Sequence, residues 1–373
     1  MKPGAVFNPN VHGARGLFSA MVFVYHVYHS KLPTFAAVQG SLLEIWLLDS
    51  MKFGVELFFG ISGLVIVGAL TRAPSAAAFA WDRIARIFPA LWASLLVFTA
   101  MRYWGGLPLP SFGLWAANFL APPPFFSVPM VHPAAWSLGY EFTFYMLCAL
   151  LWAVRGPNVR SWRWIAVITG TLLVILFPRG ILMAAGVIIA AKLPRPAWMG
   201  RLARYPGVML LIFLMAWRAL DMAAHGKMRL MSPLHADFLE WLNLAPLIYI
   251  TGVIGGIGLL GVEQGRGFTS HILRMRLMQW LGTISYSFYL WHPACMAIVK
   301  LAMHKSGLVE MIGPWSQIVF FILALGPSLV VSHVSQIVLE QRVTRWLRKL
   351  GHKRPSPPLA GAPAAVAGER DIA

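Results

Sequence analysis

Charge is scarce in this chain, and negative charge scarcer still. Only 12% of its 373 residues are Asp, Glu, Lys or Arg, where soluble domains carry about 25%. With 58% of residues apolar, too little polar surface remains to clothe a globule in water, so a soluble enzyme is excluded. Cysteine is nearly absent. Cys148 and Cys295 both fall inside apolar runs, far from metal-type spacing, so they read as packing residues and give no metal site and no redox compartment. There is no glycine-rich loop of the kind that cradles nucleotide phosphates. Nor is there an internal repeat, the mark of transporters built from duplicated halves. The first apolar segment lacks a small-residue cleavage site and holds two histidines, so it reads as a retained helix rather than a secretion signal.

What is present is a series of long apolar runs, FGVELFFGISGLVIVGAL (53–70) among them. Ten spans are expected, at about 15–32, 53–70, 86–104, 136–154, 162–178, 180–193, 206–220, 242–262, 281–300 and 314–338, each near the ~20 residues a membrane helix needs except the short 180–193. The fold class is therefore an all-α polytopic membrane protein with about ten transmembrane helices and both termini cytoplasmic. The net charge of +18 points to topology and not to nucleic acid. With the N-terminus inside, 22 of the 31 Lys and Arg residues fall on cytoplasmic loops and the C-terminal tail, the bias of inner-membrane proteins. A nucleic-acid partner needs a basic soluble face, and no soluble domain offers one. Residues 1–345 form the membrane domain; 346–373, rich in Pro and Ala towards the end, read as a disordered cytoplasmic tail. The outward loops lie near 31–52, 105–135, 221–241 and 301–313. The second is proline-rich and apolar, unfit for one continuous helix. The third has mixed charge (Asp221, Lys227, Arg229, Asp237, Glu240) with His225 and His235, and reads most simply as a solvated loop.

His26 stands out. It follows Arg15 by eleven positions in RGLFSAMVFVYH, a rise of ~16 Å along a helix, and so sits near the middle of a hydrocarbon core where ionisable groups are costly and functional. Arg15, Ser19, His26 and His29 share one helical face. Three more clusters lie at telling depths. Arg83 and Arg86 share a face at the cytoplasmic end of the third span, where positive-inside bias alone explains them, although arginine also grips phosphate bidentately. Glu141 falls inside the fourth span, where a carboxylate must find a partner. His292 lies about eleven residues into the ninth span, at a height similar to His26, with Pro293 behind it to permit a kink. For His292 a simple interhelical hydrogen bond is an equal reading.

Together these segments resemble the membrane acyltransferase 3 family. The Arg15 to His26 spacing is similar to its first-helix motif, FGVELFFGISGLVI to its FFxxSG segment, and Arg83 to Pro89 to its Arg-x-x-Arg-x-x-Pro motif. WSLGYEFTFY (136–145) matches its Trp-Ser-Leu-x-x-Glu pattern, LGTISYSFYLWHP (281–293) its late Ser-Tyr and His signature, and Glu340 the acidic residue after the last span. Glu56 stands where aspartate is commoner. No soluble hydrolase-like domain, as is fused to some members, is expected after the tenth span.

The resemblance implies transfer of an acyl group, most simply acetyl, from acyl-CoA to a hydroxyl of a saccharide. An exopolysaccharide repeat unit, lipopolysaccharide or another glycolipid would serve as acceptor, at the bacterial inner membrane. On that reading Arg15, Arg83 and Arg86 hold the phosphates of acetyl-CoA. His26, supported by His292 and Glu141, carries the chemistry as a base or a transient acyl carrier. No metal is expected; membrane lipid surrounds the chain, and a polysaccharide-biosynthesis complex is a possible partner. Two alternatives stay open: a transporter or flippase of the same glycan, since buried His, Glu and Arg also mark substrate pathways, and a structural subunit of an export complex. The topology is testable first. A cysteine introduced at Ser127 should react with an impermeant thiol reagent in cells whose outer membrane admits it. Reaction only after the inner membrane is opened would invert the orientation.

Overall fold

The computed structural model describes residues 7–122, 126, 128–154, 159–225 and 238–351, with only the backbone of 159–163. Ser127, Lys227, Arg229, His235, Asp237 and the tail from 352 lie outside the described residues. Among the described residues the chain is helical throughout, with no strand. The first half comprises α1 (Pro9–Tyr28), α2 (Gly54–Arg72), α3 (Ala76–Trp104), the short α4 (Phe112–Phe119), α5 (Trp136–Ala153), α6 (Val159–Leu176) and α7 (Ile181–Ala190). The second half comprises α8 (Ala197–Leu202), α9 (Pro206–Ala223), α10 (Phe238–Glu263), α11 (Gly267–Arg274), α12 (Arg276–Lys305), α13 (Leu308–Ile312), α14 (Ser316–Ser335) and α15 (Thr344–Gly351). Local chemistry sets several starts. The Asn8 side chain accepts from the amides of Asn10 and Val11 ahead of Pro9 in α1, and Ser75 caps α3 through the amide of Ala78.

Five helical segments are long and apolar enough to cross a membrane: Leu43–Arg72, Ala76–Trp104, Pro206–Ala223, Phe238–Glu263 and Leu308–Leu350. The helices α1, α5 and α12 miss that mark because Arg, Glu, His, Ser and Tyr interrupt their apolar sequence, and these are the helices whose polar residues face inward. The expected span 180–193 is the ten-residue α7, at ~15 Å about half the thickness of a hydrocarbon core. The helix of the expected last span continues beyond 338: α14 runs through π-helical Gln336–Val343 into α15 without a break. The proline-rich 105–135 connection is irregular apart from α4.

Close backbone approach organises the packing. α1 crosses α12 at glycines: a Cβ on Gly16 would lie 2.5 Å from the Met278 carbonyl oxygen, and one on Gly282 only 2.3 Å from that of His12. α2 crosses α7 the same way, at Gly63 against Met183 and Gly186 against Gly60. Small residues allow such contact between membrane helices, where dispersion and hydrogen bonds must replace the hydrophobic drive. Apolar clusters fill the space around these crossings. Phe18, Phe213, Trp217 and Leu259 bind α1, α9 and α10; Leu91, Leu95 and Leu138 bind α3 to α5; Phe23, Phe288 and Phe320 bind α1, α12 and α14. Outside, Ile250, Ile322, Val330 and other large apolar side chains stand exposed, a surface suited to lipid.

The crossing predicts its own test. Gly282→Leu forces a side chain into the His12 backbone, and overpacking of this kind costs about 1–3 kcal/mol or more. The variant should melt well below the parent in detergent. Gly113→Ala in α4, with nothing within 4 Å of the added Cβ, should melt with the parent.

Candidate active site

Two cavities lie among α1, α2, α5 and α12 and share two lining residues. The first, about 70 Å³, is lined by Arg15, Ser62, Arg86, Ser137, Glu141, Tyr145 and Ser285 among others. Arg15 Nε donates to Ser285 Oγ at 3.2 Å. Glu141 Oε1 accepts from Ser62 Oγ at 2.8 Å and from the Tyr145 hydroxyl at 2.5 Å, so this carboxylate within α5 is held by hydroxyls from two directions. Arg86 lines the same cavity with no hydrogen bond or ion pair among the described residues. Arg83, three residues earlier, does not line it. Its guanidinium lies between the rings of Phe79 and Tyr145, 5.5 Å from each centroid, and its Nε is buried without a hydrogen-bond partner among the described residues.

The second cavity, about 210 Å³, is lined by Tyr25, His26, Lys52, Trp136, Arg179, Asp221 and Tyr289 among others. Here the two histidines meet: His26 Nδ1 lies 3.3 Å from His292 Nε2. Their partners fix the hydrogens. His26 Nδ1 lies 2.8 Å from the Val22 carbonyl oxygen and His292 Nδ1 lies 2.9 Å from that of Phe288. Carbonyl oxygens only accept, so both Nδ1 atoms carry hydrogen. With both rings neutral, His26 Nδ1–H is shared between Val22 and the lone pair of His292 Nε2. The His26 Nε2 lone pair is then free, with no partner among the described residues. His292 is almost fully buried and His26 is half-buried at the cavity wall. A bare imidazole nitrogen oriented by a second imidazole is the arrangement of a general base. Among the described residues no third His, Cys, Asp or Glu joins the pair to make a metal-sized group.

Around the second cavity charges pair off across the fold. Arg179, on the turn before α7, reaches back to Glu56 at the start of α2 with Nε at 2.7 Å and with its terminal nitrogen, and its guanidinium lies 4.2 Å over the Trp136 ring. Lys52 bonds Asp221 at 2.6 Å; Arg218 bonds Asp49 at 2.5 Å and Asp221 at 3.4 Å; His29 lies 3.1 Å from Asp49. Glu56 is fully buried. Such pairing is what makes buried charge tolerable.

The structure thus brings His26 to His292 and Arg15 to Arg86 and Glu141, but it separates these two groups and leaves Arg83 behind the cavity wall. Ser19 closes on its own helix through the Gly16 carbonyl, and Glu340 accepts from the Ser287 hydroxyl at 2.6 Å and amide at 3.2 Å. Sequence reasoning missed Lys52, Trp136, Arg179, Asp221 and Tyr289 as wall residues. Of the charged ones, Lys52 and Asp221 were visible only as members of outward loops, and Arg179 only as the residue between two expected spans. Their opposite partners lie 123 to 169 positions away, a distance no spacing rule bridges.

The chain is similar in sequence to other proteins. Over 330 residues it is 24% identical to an acyltransferase, MdmB, of Streptomyces mycarofaciens, covering 78% of this chain and 80% of that protein. Over 128 residues it is 30% identical to nodulation protein 10 of Rhizobium leguminosarum bv. viciae, covering 28% of this chain and 35% of that one. No solved structure matches it. The family model described as "Acyltransferase domain" matches residues 8–334, and with that match the chain belongs to the acyltransferase 3 family as a membrane-type O-acyltransferase.

Proposed function

We propose that this protein spans the bacterial inner membrane about ten times with both termini cytoplasmic, and transfers an acetyl group from acetyl-CoA to a hydroxyl of a saccharide acceptor. The observation that carries the reading is the alignment of the two cavities, one holding an unpaired guanidinium and the other a free imidazole nitrogen. Along α1 the order is Arg15 then His26; along α12 it is Ser285, Tyr289, His292. Arg86 and Arg15 suit the phosphates of a polyanionic cytoplasmic donor, because guanidinium forks match phosphate oxygens. Arg83, stacked on Tyr145, stiffens the wall that carries Tyr145 and, through it, Glu141. A cavity near 70 Å³ suits a short acyl thioester; one of about 150 Å³ holds benzene.

The chemistry then follows from the imidazole pair. His26 Nε2 takes the proton of an acceptor hydroxyl as its oxygen attacks the thioester carbonyl. The tetrahedral intermediate collapses, the C–S bond breaks, and the proton passes from His26 to the departing thiolate. The products are the ester and free thiol. His292 Nε2, accepting from His26 Nδ1–H, steadies the ring and its positive charge while the proton is held. The Lys52–Asp221 and Arg179–Glu56 pairs neutralise each other around the second cavity, which fits a polyhydroxyl acceptor without net charge. Trp136 offers an aromatic edge there.

Purified full-length protein mixed with radiolabelled acetyl-CoA and lipid-linked or polymeric saccharide from the producing cell tests this directly. Label should move to the saccharide. His26→Ala should lower that rate roughly 100-fold or more, the usual worth of a general base, with the protein still inserted and still binding CoA. His292→Gln, which keeps an acceptor atom for His26, should retain more activity than His292→Ala. No transfer and no donor consumption by the parent, with movement of glycan across vesicles instead, would establish the transporter reading.

The arginines separate by a different measurement. Arg86→Ala should raise the KM for acetyl-CoA about tenfold or more, on the scale of one charge-assisted phosphate contact. Arg83→Ala should act chiefly on thermal stability. If Arg86→Ala leaves the KM unchanged, the donor phosphates lie elsewhere.

A further inference from the structure

We infer that Tyr289, closing against Val55, is the partition between the donor and acceptor cavities, so that it sets the acyl length admitted and keeps acceptor-side water off the thioester. The inference rests on the acyl-transfer reading above for its chemistry, but its geometry stands apart from it. Tyr289 and Val55 are the two residues that line both cavities. Both are buried, at 8% and 5% exposure, as a wall between two chambers must be. His26 belongs to one chamber, and Arg15 and Arg86 to the other, so an acyl group carried by a donor on the arginines meets the imidazole only by passing this wall.

The ring is latched. Its hydroxyl lies 3.0 Å from the Ala134 carbonyl oxygen and 2.8 Å from Ser137 Oγ, which itself lies 3.2 Å from that carbonyl, a three-way hydrogen-bonded cluster that ties α12 to the start of α5. The latch sits on a weak point of its helix. Pro293, four residues on, has no amide hydrogen to give the Tyr289 carbonyl, and its ring crowds that oxygen. The backbone behind Tyr289 is therefore easier to shift than a regular helix. The ring also lies 6.1 Å from that of His292, so displacement of the partition reaches the imidazole pair. A short acyl group passes with a small ring movement, whereas a longer one requires the latch to break. Excluding water from a reactive intermediate is a recognised part of such sites. Here the reaction to be prevented is hydrolysis, in which water replaces the acceptor hydroxyl as nucleophile and gives carboxylic acid and free thiol.

Two measurements on the full-length protein test this. In the first, Cys148 and Cys295 are replaced by Ala, and single thiols are introduced as Ser62→Cys or His26→Cys in oriented vesicles treated with a small charged methanethiosulfonate on one face. With Tyr289 present the two thiols should react from opposite faces. With Tyr289→Ala the thiol of His26→Cys should become reactive from the Ser62 face. Reaction of both thiols from the same face with Tyr289 intact would overturn the partition, and so would a Tyr289→Ala variant that opens nothing. In the second, acyl-CoA turnover is split into transfer and hydrolysis for chains of two to six carbons. Tyr289→Ala should raise hydrolysis relative to transfer by about tenfold or more and admit butyryl- and hexanoyl-CoA. Tyr289→Phe, which keeps the ring but not the latch, should raise hydrolysis less and keep the length limit. An unchanged ratio and an unchanged length profile in Tyr289→Ala would refute the role. A parent that consumes no acyl-CoA would instead sink the functional reading, and the thiol measurement would still decide the partition.

Discussion

The contact between α1 and α12 governs everything that follows. At Gly16 and Gly282 the two backbones touch with no room for a Cβ, and the register so imposed sets each polar pair above and below it. His12 Nε2 meets the Gln279 carbonyl and the Thr283 hydroxyl, each at 3.1 Å, Arg15 meets Ser285, and His26 meets His292. Slipping one helix by a single residue would rotate these side chains about 100° away from each other. The facing of these side chains is thus set at two side-chain-free positions rather than by the histidines themselves.

Electrostatics imposes a second constraint. Around the histidine cavity every buried carboxylate already faces a cation: Glu56 faces Arg179, Asp221 faces Lys52 and Asp49 faces Arg218. In the arginine cavity the balance differs. Glu141 is occupied by two hydroxyls, Arg15 by one, and Arg86 by nothing within the described chain. A low-dielectric site that leaves a cation without a counter-ion is costly unless an anion arrives. The same scaffold thus provides one chamber whose charges are paired and one lined by two guanidiniums and a single carboxylate.

Much of this was legible in the sequence where the signal is periodic and local. Arg15 and His26 share a helix, so eleven positions of spacing were enough to place them, and the matching depth of His292 followed from counting along its own span. The long apolar runs gave helices wherever they occurred. What escaped was whatever depends on contacts between distant segments: the tether of Arg179 to Glu56, the shared wall at Tyr289, and the retreat of Arg83 behind Tyr145. Arg83 and Arg86 look equivalent as a motif. They differ because three residues turn a helix by about 300°, enough to send one guanidinium into the cavity and the other between two rings. Mean hydropathy is lowered in α1, α5 and α12 by the Arg, Glu, His, Ser and Tyr residues among their apolar ones, although spans were expected there from the sequence.

The shortness of α7 has its own consequence. Ten residues from Ile181 to Ala190 cover ~15 Å of a hydrocarbon layer that is ~30 Å thick. Gly63 and Gly186 fix the helix against the middle of α2, so it cannot slide to reach either surface. Arg179, two residues before it, is carried at the end of this short helix, where it pairs with Glu56. On that flank the bilayer must dip to meet the protein, at a cost of fractions of a kcal/mol per ångström of mismatch. The lipid chain length of the host membrane becomes a determinant of how this flank of the protein is seated.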